Sequence, residues 1–174
     1  KALHLADLMK NKGKIGAVDT DQARLKELTI RAKRGGAGIV GTTLRKDFDP
    51  KRYEGRADVV LVDAPCSGSG TIRRNPSLKW SIREEDVGRF ALRQLDLLAG
   101  YAPMVRPGGR LVYSTCSLFR AENEEVVEGL LGSHNAFRSV DFSGMNPRQV
   151  EKGPHNTVLL LPHRHPTDGF FIAV

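Results

Sequence analysis

Short apolar runs alternate with amphipathic stretches along most of this 174-residue chain. The apolar runs are rich in β-branched residues and are bounded by Gly, Pro or Asp, a pattern typical of β-strands. The amphipathic stretches repeat apolar residues with the period of a helix. This pattern predicts strands at 15–18, 39–42, 59–62, 111–113, 157–161 and 170–174. It predicts helices at 2–10, 22–33, 84–105 and 121–131.

The order of these elements predicts a three-layer α/β fold, and the last two strands predict an antiparallel edge. Asp19-Thr20-Asp21 can cap the second helix, and the acidic residues 122, 124 and 125 suit the positive end of the fourth. Residues 107–109 read as a turn. The segment 64–83 has no clear period and is interpreted as a functional loop, whereas the polar segment 133–153 receives no element.

Composition and charge narrow the class of protein. With 40% hydrophobic and 27% charged residues, we expect one soluble domain spanning residues 1–174. No apolar run approaches the roughly 20 residues of a transmembrane helix, so we expect a cytoplasmic protein without membrane contact. The net charge of +7 favours a polyanionic partner.

The two cysteines of the chain each follow a predicted strand. Ligands of open α/β sheets bind outside the carboxyl ends of the strands, so Cys66, Cys116 and Asp63 are candidate functional residues. In a reducing compartment both cysteines remain free thiols. The alternative is that they are two small buried core residues, because free cysteine is among the most buried residue types.

The motifs around both cysteines resemble those of the Nop/Sun-type RNA (cytosine-5) methyltransferases, which include bacterial ribosomal-RNA enzymes. Asp-Ala-Pro-Cys-Ser-Gly at 63–68, with the loop at 70–80, resembles the fourth motif of that family. Tyr-Ser-Thr-Cys-Ser at 113–117 resembles its sixth motif, and Asp-Gly-Phe-Phe at 168–171 its closing strand. DNA cytosine-5 methyltransferases use a Pro-Cys thiol, so a chain with both cysteines resembles the RNA branch.

This resemblance implies a Rossmann-like, S-adenosylmethionine-dependent methyltransferase fold with a mostly parallel sheet and an antiparallel C-terminal edge. The first strand and glycine-rich turn of the family, ending Gly-Gly-Lys, are missing from the sequence. Lys1 resembles the last residue of that motif. We therefore expect a catalytic domain that begins inside the cofactor loop.

The implied chemistry is addition of a thiolate to C6 of cytosine, which pushes electron density onto C5. Such a thiolate requires a cysteine of lowered pKa. The resemblance makes Cys116 the nucleophile and Cys66 the residue that assists product release. Asp63, if buried, is a candidate acid or hydrogen-bond partner for cytosine N3, with an Asx turn as its alternative role.

The resemblance also implies S-adenosylmethionine as cofactor, contacted by Lys1, Asp19, Arg24, Asp47 and Asp63. An acidic side chain after a strand typically receives the ribose hydroxyls of a nucleoside cofactor, which suits Asp19. Asp47 corresponds to the residue that contacts adenine, with Asp49 as the alternative.

Basic residues of the loop at 70–80 are candidate RNA contacts. Arg73, Arg74 and Lys79 would hold phosphates near a flipped base, whereas we expect Trp80 to pack the loop down rather than stack on a base. No metal site is predicted, because no cysteine or carboxylate has a suitable spacing from the C-terminal histidines, His155, His163 and His165.

The resulting hypothesis is an RNA cytosine-5 methyltransferase domain acting on ribosomal RNA, with transfer RNA as the alternative substrate. One rival is a catalytically incomplete methyltransferase fold that serves as an RNA-binding scaffold. A second is a DNA methyltransferase in which Cys66 is the nucleophile. The sequence carries no signal for an oligomeric state.

Overall fold

The computed structural model describes residues 1–141 and 151–174 and divides into two compact units, Lys1–Asp49 and Pro50–Val174. The elements of the first unit are α1 (Ala2–Leu8), β1 (Ile15–Asp19), α2 (Gln22–Arg34) and β2 (Val40–Leu44). β1 and β2 pair in parallel along their full length. These two strands and two helices were all predicted, with bounds that differ by at most two residues.

The start of α2 is fixed by Asp21 rather than by Asp19. The Asp21 carboxylate accepts hydrogen bonds from the backbone N–H groups of Ala23 and Arg24, at 2.8 and 3.2 Å. Such a cap satisfies amides of the first helical turn that have no partner within the helix. Asp19 is therefore left at the end of β1, next to the capped turn.

The second unit contains a five-stranded sheet. Its elements are β3 (Ala57–Asp63), α3 (Leu78–Ser81), α4 (Glu84–Tyr101), β4 (Val105–Thr115), α5 (Glu124–Ser133), β5 (Glu151–Lys152), β6 (Val158–Leu160) and β7 (Phe170–Ala173). The strand order is β3-β4-β7-β6-β5. β3 and β4 are parallel and the remaining pairs are antiparallel, which confirms the predicted α/β class with an antiparallel C-terminal edge.

Two predicted boundaries next to β4 are wrong. The helix predicted to reach residue 105 ends at Tyr101, and β4 begins at Val105 instead of 111. Residues 107–109, predicted as a turn, form a bulge inside β4, since Ala57 pairs with Val105 and Val59 with Arg110. Proline and glycine in this run indicated a chain reversal, but a bulge accommodates the same residues without ending the strand.

Two further predictions are corrected around the loops. The segment 64–83 contains α3 and a 3₁₀ turn at Ser69–Thr71, and α5 begins at Glu124 because Arg120–Glu122 form another 3₁₀ turn. Residues 142–150 of the polar segment lie outside the described residues. Within the described ranges, no helix is long and apolar enough to cross a membrane.

The core of the second unit lies where the sheet packs against α4 and α5. Its buried members come from β3, β4, β7, α4 and α5, with Leu98 and Phe171 among the least exposed. The rings of Tyr113 and Phe171 meet edge to face, with centroids 6.1 Å apart. This packing holds the ends of β3 and β4. The segment with Cys66 follows β3 and the segment with Cys116 follows β4, and these two segments are called the cysteine loops below.

Candidate active site

The structure brings the two cysteines together. Asp63 of β3 pairs with Ser114 of β4, so the parallel strands end at the same edge of the sheet. Cys66 follows β3 by three residues, and Cys116 follows β4 directly. Their Sγ atoms lie 3.2 Å apart, and both thiols are free and half-buried.

The contact between the two sulfurs makes the thiols chemically unequal. Donation from the Cys66 S–H lowers the pKa of Cys116 to about 7, although burial acts in the opposite direction. The same hydrogen bond, then burial and the charge on Cys116, raises the pKa of Cys66. When the pair loses its first proton, which occurs near neutral pH, the two sulfurs share the remaining proton and the negative charge lies on Cys116.

A fully buried carboxylate, Glu122, lies behind the cysteine pair. Its Oε1 accepts from the Ser67 backbone N–H at 2.9 Å and from Gln94 Nε2 at 3.0 Å. Its Oε2 accepts from the hydroxyls of Ser67 and Ser117, at 2.5 and 2.6 Å. The two serines are the residues directly after the two cysteines, so one side chain contacts both loops.

A second set of hydrogen bonds closes the turn that carries Cys116. Thr115 Oγ1 donates to Asn123 Oδ1 at 2.6 Å, and Asn123 Nδ2 donates to the Ser117 carbonyl at 3.0 Å. The Tyr113 hydroxyl donates to the Glu122 carbonyl at 2.6 Å. Burial raises the pKa of Tyr113, so this donor keeps its proton.

Sequence reasoning missed the role of Glu122 and Gln94. Glu122 was interpreted as one of several acidic residues near a helix start, and Gln94 lies in a helix with no sign that its amide is buried. The signal that was available is the serine after each cysteine, because two buried hydroxyls require an acceptor.

The backbone near Gly70 joins the two cysteine loops to the segment before β7. Gly70 N–H donates to the Cys116 carbonyl at 2.8 Å, and Gly169 N–H donates to the Gly70 carbonyl at 2.8 Å. A Cβ at position 70 would lie 2.8 Å from the Cys116 carbonyl oxygen and closer still to that of Gly169. Only glycine fits there without displacing backbone.

Asp63 ends β3 as predicted, but its side chain is exposed. Its Oδ1 accepts from the Ser114 hydroxyl at 3.1 Å. Burial of this carboxyl was the condition for its predicted role as an acid, and the structure does not meet that condition. The reason is the alternation of β3, which buries Val60 and Val62 and turns Asp63 outward.

The predicted RNA contacts of the loop fall into two groups. Arg73 and Arg74 both pair with Asp168, Arg73 at 3.8 Å. Lys79 Nζ lies 5.3 Å from the ring centroid of Trp80. Trp80 is 84% exposed, so the expectation that it packs the loop down is wrong.

In the first unit, Asp19 and Asp47 lie at one edge of the two-stranded sheet. Asp19 pairs with Leu44 in the β1–β2 ladder, and Asp47 ends the 3₁₀ turn that follows β2. Asp19 is half-buried, and its Oδ1 accepts from the Asp21 N–H at 2.9 Å. Asp47 is exposed.

Arg24 and Lys1 line one depression of about 290 Å³ in this unit, together with residues of α1 and other residues of α2. The Arg24 guanidinium also pairs with the capping carboxylate of Asp21 at 3.4 Å. Among residues 1–141 and 151–174, no group of three histidine, cysteine or acidic side chains could hold a metal ion.

The sequence model of the family described as 16S rRNA methyltransferase RsmB/F matches residues 1–174. The chain belongs to this family. The predicted relationship to the Nop/Sun-type enzymes is thereby confirmed. The match covers both units and both cysteine loops of this RsmB/F family member.

Named relatives agree with this assignment. The chain is 39% identical to the probable ribosomal RNA small subunit methyltransferase B of Bacillus subtilis, covering 99% of this chain and 40% of that protein. It is 36% identical to the human 28S rRNA (cytosine(4447)-C(5))-methyltransferase, covering 99% of this chain and 23% of that protein. The chain thus spans well under half the length of these relatives.

A solved structure supports the fold of this RsmB/F family member. NSun6 from Pyrococcus horikoshii, solved with SFG, matches with a TM-score of 0.80 and 30% sequence identity. The match covers 98% of this chain and 43% of that one. It agrees with the Rossmann-like methyltransferase fold expected from the sequence.

Replacing Gly70 by alanine should destabilise the protein by about 1–3 kcal/mol, because the new Cβ must displace backbone carbonyls on two neighbouring segments. Urea unfolding measures the loss. Gly88→Ala is the matched control. Gly88 lies in α4 with nothing within 4 Å of an added Cβ, so alanine there should stabilise by about 0.5–1 kcal/mol. Equal effects at the two positions would contradict the close approach.

Replacing Cys66 by alanine should raise the pKa of Cys116 above about 7, because the donor that stabilises its thiolate is removed. The alkylation rate of Cys116 should then rise with pH over a higher range than in the unsubstituted protein. The rate is measured with iodoacetamide and peptide mass spectrometry. Cys66→Ser retains a hydrogen-bond donor, so its alkylation profile should lie between those of the unsubstituted protein and Cys66→Ala. Identical profiles for all three proteins would exclude coupling between the sulfurs.

Proposed function

We propose that the protein methylates C5 of a cytosine in RNA, with Cys116 as the nucleophile and S-adenosylmethionine as the methyl donor. The observation that carries the proposal is the 3.2 Å contact between the Cys116 and Cys66 sulfurs, because a hydrogen bond from Cys66 is the main cause that lowers the pKa of Cys116 to about 7. A cysteine of lowered pKa at the carboxyl end of a parallel strand is what addition to C6 requires. Membership of the RsmB/F family supports the same reaction.

The steps follow from the unequal thiols. The Cys116 thiolate adds to C6, which makes C5 nucleophilic, and C5 takes up the methyl group. A base then removes the proton from C5, the electrons of that C–H bond re-form the C5=C6 double bond, and the C6–S bond breaks to release the Cys116 thiolate. When bound, S-adenosylmethionine would supply the methyl group of its sulfonium, whose S–CH3 bond breaks to leave S-adenosylhomocysteine.

Cys66 suits the release step. While Cys116 is a thiolate, its charge opposes ionisation of Cys66 and raises the pKa of that thiol. Once Cys116 is bonded to C6 that charge is gone, so Cys66 ionises more readily. The Cys66 sulfur, adjacent to the attacking atom, is then a candidate base for the C5 proton.

Asp19 has the chemistry expected of a ribose contact for S-adenosylmethionine. It ends a parallel strand and uses only Oδ1 for the Asp21 amide, and no donor in the described part of the chain contacts Oδ2. A carboxylate with one oxygen available can accept from ribose hydroxyls. Asp47, which follows β2 in the same unit, is proposed as a further cofactor contact with Arg24 and Lys1. Asp63 of the second unit stays a predicted cofactor contact.

Ribosomal RNA is the proposed substrate, because the named relatives from Bacillus subtilis and human are rRNA methyltransferases. Transfer RNA is the alternative. The net charge of +7 suits either RNA, since both are polyanions.

The cytoplasmic location and the single domain expected from the sequence also stay predictions.

The loop after Cys66 is the proposed RNA contact. Trp80 exposes a large ring beside the ammonium group of Lys79, a combination that suits stacking on an unpaired base next to a phosphate. Arg73 and Arg74 keep more than half of their side-chain surface exposed while paired with Asp168. They retain donors for phosphate oxygens.

The mechanism predicts opposite results for the two cysteine substitutions. With the full natural sequence, S-adenosylmethionine and total RNA, Cys66→Ala should accumulate a denaturant-resistant protein–RNA adduct, because release is blocked after Cys116 has added to C6. Cys116→Ala should form none. The adduct is measured by gel electrophoresis in denaturant, and sequencing its RNA distinguishes ribosomal from transfer RNA.

The double variant Cys66→Ala/Cys116→Ala is the control and should lack the adduct. An adduct from Cys116→Ala alone would indicate the DNA-type arrangement with Cys66 as nucleophile. RNA binding without an adduct from any variant would favour the scaffold role. Either result would refute the proposed mechanism.

Stacking on Trp80 predicts that single-stranded oligocytidylate quenches the tryptophan emission of this chain. Trp80 is the one tryptophan in the 174 residues, so the signal reports on it alone. Trp80→Ala should weaken binding by about 1–3 kcal/mol, measured by anisotropy of labelled RNA.

Lys79→Gln should reduce the salt dependence of RNA binding, since it removes one phosphate contact. Arg93→Gln removes an equal charge from an exposed site on α4 and is the matched control.

For the Trp80 prediction, RNA that binds by anisotropy but leaves the tryptophan emission unchanged would show that Trp80 does not stack.

A further inference from the structure

We propose that Glu122 is a positioning residue, whose single buried carboxylate holds the two cysteine loops at the separation where their sulfurs contact each other. This inference deepens the proposed function. The positioning role would matter for catalysis only if the proposed methyltransferase activity is correct. Glu122 touches neither sulfur in the set of hydrogen bonds described above. It acts through Ser67 and Ser117, the neighbours of the two cysteines.

Both oxygens of the Glu122 carboxylate are used in this hydrogen-bond network. Each of its oxygens accepts two hydrogen bonds, and the side chain has no exposed surface. A buried carboxylate is costly unless it is hydrogen-bonded, and bonds to a charged acceptor are stronger than neutral ones. A shift of either loop would break at least one of these bonds, so the network opposes relative movement of the loops.

Gln94 ties the same network to α4. Its Nε2 donates both to Glu122 Oε1 at 3.0 Å and to the carbonyl of Pro65 at 2.8 Å. Pro65 precedes Cys66 and Ser67 follows it, so the turn with Cys66 is held on both sides. α4 packs in the core of the unit, which gives the network a rigid support.

The serine hydroxyls link the loops directly as well. Ser117 Oγ lies 3.3 Å from Ser67 Oγ and 3.3 Å from Ser69 Oγ. Ser69 Oγ accepts from the Leu118 N–H at 2.8 Å. The loop with Cys66 therefore contacts the loop with Cys116 through both Ser67 and Ser69.

The direction in which the charge of Glu122 changes the pKa of Cys116 distinguishes a positioning role from direct activation of the thiol. The negative charge of Glu122 raises the pKa of Cys116, whereas the Cys66 sulfur lowers it more strongly. As a charge, Glu122 thus works against the nucleophile. Its favourable contribution is geometric, because it keeps the Cys66 donor in contact with Cys116.

This difference gives two substitutions at position 122 different expected effects on the pKa of Cys116. Glu122→Gln keeps the shape: its amide oxygen can accept from Ser67 N–H and Gln94, and its amide nitrogen can donate to the serine hydroxyls. It removes the charge and reverses the direction of the two serine hydrogen bonds without opening the contact between the loops, so the pKa of Cys116 should stay at about 7 or fall. Glu122→Ala removes the hydrogen bonds that hold the two cysteine loops together. The pKa of Cys116 should then rise by roughly one to two units as Cys66 moves away.

The readout is the pH profile of iodoacetamide alkylation at Cys116, resolved from Cys66 by peptide mass spectrometry. Glu125→Gln is the matched control, because it neutralises an exposed glutamate of α5 and should leave the profile unchanged. Neither RNA nor S-adenosylmethionine is present. Failure of the methyltransferase proposal would therefore leave this result intact, and the reverse is also true.

A folded Glu122→Ala protein with an unchanged profile would overturn the proposal, as would a downward shift in both variants. If circular dichroism shows that Glu122→Ala is unfolded, Ser67→Ala/Ser117→Ala provides the test. That variant removes two of the four donors and leaves Glu122 in place. We expect an upward shift of the Cys116 profile from it, and no shift would refute positioning.

Discussion

The cysteine site depends on the burial of one carboxylate. Removing the charge of Glu122 from water is unfavourable unless every oxygen is hydrogen-bonded, and the chain meets that demand with groups from α4 and from both cysteine loops. The requirement acts in both directions. The hydrogen bonds from both loops stabilise the buried carboxylate, and the same hydrogen bonds hold the two loops together.

This constraint turns two identical side chains into two different chemical groups. Thiols far apart would each titrate near the ordinary value for cysteine. At 3.2 Å they share a proton, so Cys116 is the better thiolate and Cys66 the better donor. The different roles proposed for Cys116 and Cys66 in methylation thus arise from the distance between the two cysteine loops.

The distance in turn rests on the elements beneath it. Parallel pairing of β3 and β4 brings both loops to one sheet edge, and the absence of a side chain at Gly70 lets the loop backbones meet. The backbone contact continues to Gly169, just before β7. A bulge in β4 accommodates the Pro-Gly-Gly segment and leaves the register near the cysteines intact.

The sequence by itself determined the α/β class, the order of the main elements, the family and the candidate cysteines, because apolar periodicity and contiguous motifs are local properties of the chain. Only the tertiary structure decided that Glu122 and Gln94 meet behind Cys66 and Cys116, that Asp63 faces outward, and that Trp80 is exposed. The Glu122 network depends on groups distant in sequence, since Gln94 and Glu122 are 28 positions apart and Ser67 and Glu122 are 55 apart. Burial and hydrogen bonding across such separations are set by packing, which no local pattern of residues encodes.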